Sequence, residues 1–85
     1  MDDRLGVQTQ VLGVTLADGA TVAFPDDVAR AELLAGGQVV LGEVEVVLDG
    51  QGLRATVDGE PVATHQAFWF AWSQFHPDTD LWMPA

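Results

Sequence analysis

Leu12, Val14 and Leu16 fall on one face of an extended segment, and Val11, Gly13 and Thr15 fall on the other, the period-2 pattern of a β-strand. Asp18-Gly19 has the residue types of a two-residue type I′ hairpin turn, and Thr21 to Phe24 reads as the returning strand. That register sets Gly13 opposite Phe24, a ring covering a strand glycine. Pro25 ends the strand and suits the first turn of a helix. Asp26 and Asp27 follow, where the helix dipole favours negative charge, and Arg30 lies within ion-pair spacing of both. Val28, Ala31 and Leu34 are expected to form the buried stripe of this helix, which Gly36-Gly37 terminates.

Residues 38–48 give the longest strand pattern, with Val44, Val46 and Leu48 alternating against Glu43, Glu45 and Val47. Residues 49–52 form a turn cluster. Leu53, Ala55 and Val57 alternate on the return, with Arg54 expected beside Glu43 or Glu45. A further turn, Asp58-Gly59-Glu60-Pro61, leads into a short extended piece at residues 62–64. Residues 66–75 contain no Gly or Pro and predict a second helix, stopped by Pro77. On it Phe68, Trp69, Trp72, Phe75 and His76 share one broad arc, read as the main core. Phe70 points away from that arc, towards Ser73 and Gln74, where it is either covered by the Leu81–Met83 tail or presented to a partner. The tail, with Leu81, Trp82 and Met83, is apolar enough to pack back on the body.

The pattern predicts one α+β domain spanning residues 1–85, with residues 1–6 a loose terminus. An antiparallel sheet of about four or five strands packs against the C-terminal aromatic helix, and the shorter first helix sits at an edge. The 85-residue length fits one modest core, and the 48% apolar content supplies it. No repeat, linker, secretory leader or membrane-length apolar run interrupts the pattern, so the expected location is the cytoplasm.

Charge narrows the function classes. Thirteen acids face three arginines, with no lysine, for a net charge of −10. Such a chain repels nucleic-acid phosphates and anionic lipid surfaces. The acids are spread along the sequence rather than gathered into a docking block. The leading reading is that they keep an apolar small protein in solution, as in a high-salt cytoplasm. The lesser one is an acidic decoy for a basic protein. If they suit a saline interior, thermal stability rises substantially in molar KCl as self-repulsion is screened; equal melting temperatures at low and high salt would count against it.

The candidate chemistry is sparse. His65 and His76 are the only histidines. A metal site could be drawn from His76, Asp78 and Asp80, since three or more converging ligands are the minimum such a site needs. The alternative is a helix-ending histidine followed by a Pro-Asp turn. Ser73, His76 and Asp78 lack a nucleophile elbow and any visible oxyanion arrangement, and no glycine run cradles a phosphate before a lysine. No cofactor is implied.

The run Ala67-Phe68-Trp69-Phe70-Ala71-Trp72-Ser73-Gln74-Phe75-His76-Pro77-Asp78-Thr79-Asp80-Leu81-Trp82 closely resembles the C-terminal signature of an uncharacterised prokaryotic family, domain of unknown function 3179. Val11-Leu12-Gly13-Val14 through Ala23-Phe24-Pro25 is similar to that family's opening hairpin, so the likeness extends over about residues 11–82. Longer members commonly carry a histidine early in the first helix, and many carry a cysteine-containing segment after the Gly-Gly. Ala31-Glu32-Leu33-Leu34 and the plain strand at residues 39–47 hold neither, so this chain resembles a short, Cys-less version. The resemblance brings no agreed activity. The expected function is a non-enzymatic binding or self-association module, a homodimer in one form, with Phe70, Trp69 and Trp82 as interface residues. The competing expectation is a metal-binding or hydrolytic site at His76, Asp78 and Asp80.

Overall fold

The computed structural model describes residue 6, residues 9–50 and residues 52–83. The expected loose terminus at residues 1–6 therefore lies outside the described residues except for Gly6, as does Gln51 of the expected turn cluster. The chain is α+β, with its strands divided between two four-stranded sheets rather than gathered in one.

Strands β1 (Gln10–Thr15) and β2 (Thr21–Pro25) form the first hairpin. Its register pairs Leu12 with Phe24 and Gly13 with Ala23, one residue away from the sequence expectation. The loop has three residues, Ala17-Asp18-Gly19, rather than two. Gly19 N–H donates to Leu16 O at 3.0 Å, Leu16 N–H donates to Ala20 O at 2.8 Å, and Gly19 alone has positive φ, +88°. The Asp18 carboxylate accepts from Ala20 N–H at 3.0 Å and holds this form.

Helix α1 (Asp26–Leu34) follows β2 without a break. Its buried residues are Asp26 and Ala29, with Leu33 packed against the core. Val28, Ala31 and Leu34 are exposed, so the stripe is turned from the expected one. The cause is the entry point: Pro25 is fully buried, and the helix starts with its first residue on the core side. Arg30 Nη2 donates to Asp26 Oδ2 at 3.2 Å, answering that partly shielded carboxylate. Gly36, at φ +88°, ends the helix in a Schellman pattern, with Gly37 N–H on Glu32 O and Gly36 N–H on Leu33 O.

The segment expected as one long strand is two, β3 (Val39–Leu41) and β4 (Val44–Asp49). Gly42, at φ +61°, opens a two-residue turn between them. β5 (Gly52–Val57) and β6 (Glu60–Pro61) complete the second sheet in the order β3-β4-β5-β6. Arg54 stands opposite Val47 and pairs with Asp49 at 3.9 Å, both well exposed, rather than with Glu43 or Glu45. Such a pair contributes little.

The largest departure concerns residues 64–68. They form β7 (Thr64–Phe68), which pairs antiparallel with β1, and helix α2 covers only Trp69–Phe75. The open edge of β1 offers a ladder of hydrogen bonds that overrides the local helical tendency of these residues. The tail supplies β8 (Asp80–Leu81), parallel to β2, so the first sheet runs β7-β1-β2-β8. Trp82 N–H donates to Ala23 O at 2.9 Å, and the Trp82 indole lies 6.2 Å from the Phe24 ring. The tail thus packs back as expected, with Met83 left exposed.

The core has two parts. The larger joins Leu12, Val14, Val22 and Phe24 to Ala29, Val39, Val44, Val46, Ala55 and Trp82, and so unites the two sheets and α1. The smaller gathers Val11, Ala23, Trp69 and Trp72 beneath α2. β1 is buried on both faces from Val11 to Val14, because α2 covers one side and the main core the other.

Candidate interaction surface

Helix α2 has only two turns, so its inward face is narrow. At about 100° per residue, Trp69, Trp72 and Ser73 lie together, and these are its buried residues. Phe75 lies beyond the edge of that face and is 80% exposed. Phe68, the last residue of β7, is 44% exposed, and Phe70 is 41% exposed. The expected core arc therefore divides. The tryptophans are core and the phenylalanines are surface. Phe70 points outward as its position predicts. It is left exposed, and its ring is stacked on Phe68 at 6.1 Å and 15°.

Two of the expected interface residues are buried within the chain. Trp69 has no exposed surface and Trp82 has 7%, so both are spent inside the chain. Phe70 stays accessible, and Phe68 and Phe75 join it.

The His-Pro-Asp motif has an architectural role. Thr79 N–H donates to His76 O at 3.0 Å, closing a turn with Pro77 and Asp78 at its centre. The turn carries Thr79 beneath α2, where its buried hydroxyl accepts from Trp72 Nε1 at 3.0 Å. The His76 ring rests 4.2 Å from Trp72 at 45°. His76, Asp78 and Asp80 are not gathered: among the described residues no three His, Cys, Asp or Glu side chains stand close enough to hold a metal. Ser73 Oγ turns back to its own helix, 3.4 Å from Phe70 O, rather than towards His76.

Trp72 also explains Gly13. A Cβ built on Gly13 would overlap Cζ3 and Cη2 of the indole and stand 2.6 Å from Cε3. A ring does cover this strand glycine, but it comes from α2 and not from Phe24 across the hairpin.

One sequence signal marks this surface. All thirteen acids and all three arginines lie outside residues 61–77. In a chain of net charge −10, β7 and α2 form a strip with no formally charged side chain, its only titratable groups being His65 and His76. The strip coincides with the exposed phenylalanines. Among the described residues β7 is also an edge strand, with His65 and Gln66 open to solvent.

No helix among the described residues is long and apolar enough to cross a membrane. No family model matches this chain, and no curated protein or solved structure is found similar to it.

Proposed function

We propose that the chain is a non-enzymatic module that associates with itself through the uncharged aromatic surface of β7 and α2. The observation that carries this reading is the coincidence of three exposed phenylalanines, Phe68, Phe70 and Phe75, with the longest stretch of an acidic chain that holds no Asp, Glu or Arg. Burying a fully exposed phenylalanine contributes about 1.5–3 kcal/mol; Phe75 keeps most of its surface and Phe68 and Phe70 somewhat under half, so covering the three rings supplies a fraction of what association must overcome. Elsewhere the acids keep like chains apart, which confines contact to the uncharged strip. The same residues carry the resemblance to domain of unknown function 3179, a membership that would leave this reading unchanged.

Light scattering after size exclusion tests it. The wild-type protein is expected at twice the chain mass, and Phe70→Glu at the mass of one chain. A wild-type protein that stays monomeric up to millimolar concentration, or a dimer indifferent to Phe70→Glu, would remove the proposal.

A further inference from the structure

We infer that two copies pair antiparallel, edge to edge along β7, joining their first sheets into one continuous sheet across a two-fold axis. The inference rests on the self-association reading above and names the contact that makes it specific. One register step beyond the end of the β1–β7 ladder, Trp69 N–H donates to Thr9 O at 2.7 Å. Hydrogen-bonded and non-hydrogen-bonded pairs alternate along an antiparallel ladder. With the observed register, Ala67 and His65 therefore direct their backbone groups to β1. Thr64 and Gln66 direct theirs outward, as Phe68 does its N–H. These outward groups form the row that another strand would complete.

The four sheet edges differ in how they are guarded. β6 is two residues long and carries Glu60 and Pro61. β8 is two residues long and carries Asp80. β3 has three residues and runs directly into the Gly42-Glu43 turn. β7 has five residues, Thr-His-Gln-Ala-Phe, with no proline, lysine or acid. An occupant must bring an open strand edge of its own and must not set acid against acid. A second β7 meets both conditions, although each copy carries a net charge of −10. A two-fold antiparallel arrangement is closed, so it ends at the dimer rather than growing into a fibre. It also flanks the new ladder with the Phe68–Phe70 stack of each copy.

Gln66→Pro tests the pairing. The substitution removes an outward N–H and places a ring in the path of the incoming strand, while the ladder to β1 is kept. The dimer is expected to weaken by at least ~10-fold, with the monomer still folded by circular dichroism. In the wild-type protein, the Gln66 and Phe68 amides are expected to exchange at least ~10-fold more slowly at a concentration that forms dimers than at one that does not. The second measurement decides the matter even if Gln66→Pro does not fold. A dimer abolished by Phe70→Glu but untouched by Gln66→Pro, with no added protection at Gln66, would overturn the strand pairing and leave the aromatic association standing. A monomeric wild-type protein, or a dimer indifferent to Phe70→Glu, would overturn both.

Discussion

Replacing Gly13 with alanine is expected to destabilise the protein by about 3 kcal/mol, at the upper end of what an overpacked core usually costs. The added methyl group meets the Trp72 indole, and that ring has little freedom to yield. Its Nε1 is tied to the buried Thr79 hydroxyl, His76 leans on it, and Val11, Ala23 and Trp69 surround it in the smaller core. Relief requires α2 to lift from β1, which would break the Trp72–Thr79 bond and strain the turn behind it. Urea unfolding of the two proteins measures the difference. A change below ~1 kcal/mol would mean that the helix does not sit on this strand. Gly19 makes the useful contrast, because a Cβ there meets nothing within 4 Å and only its positive φ resists substitution.

Truncating Trp69 to alanine is expected to cost about 3–5 kcal/mol, the range for emptying a large aromatic from a core. The same truncation at Phe75, six residues on in the same short helix, is expected to cost the isolated chain under ~0.5 kcal/mol. Trp69 has no exposed surface, while Phe75 has most of its own. Thermal melts at a concentration below association provide the comparison. Equal losses at both sites would contradict the division of α2 into a tryptophan face and a phenylalanine face. Near-equal small losses would place Trp69 at the surface and restore it to the interface.

Much of the scaffold was legible before the structure. The β1–β2 and β4–β5 hairpins, the helix opening at Asp26, the Asp26–Arg30 pair, the return of the tail and the outward turn of Phe70 all follow from local chemistry. What local chemistry could not supply was register and competition. Asp18-Gly19 and Asp58-Gly59 are the same dipeptide. The second forms a two-residue turn with both φ angles positive, +52° and +82°, whereas the first sits in a three-residue loop. Alternation cannot decide between such registers on β1, because Val11 to Val14 are buried on both faces and a one-residue slip leaves every side chain covered. Residues 66–68, expected as the first turn of the helix, are strand instead, because the unpaired edge of β1 claims them. Once α2 began at Trp69 rather than Gln66, its inward arc narrowed, and Phe68 and Phe75 fell outside it. The uncharged strip was readable in the sequence as a break in the distribution of acids, although neither periodicity nor motif spacing reports it.

The two sheets are stitched together over different distances along the chain. β3, β4, β5 and β6 are joined in sequence by tight turns, so each closes on a neighbour already at hand. β7 and β8 must instead travel back from the far end of the chain to flank β1 and β2, which carries a larger loop-closure entropy and tends to slow folding. All three tryptophans, Trp69, Trp72 and Trp82, belong to those late-arriving segments. During refolding, indole emission therefore times the closing of the first sheet, while the central hairpins assemble unseen by it.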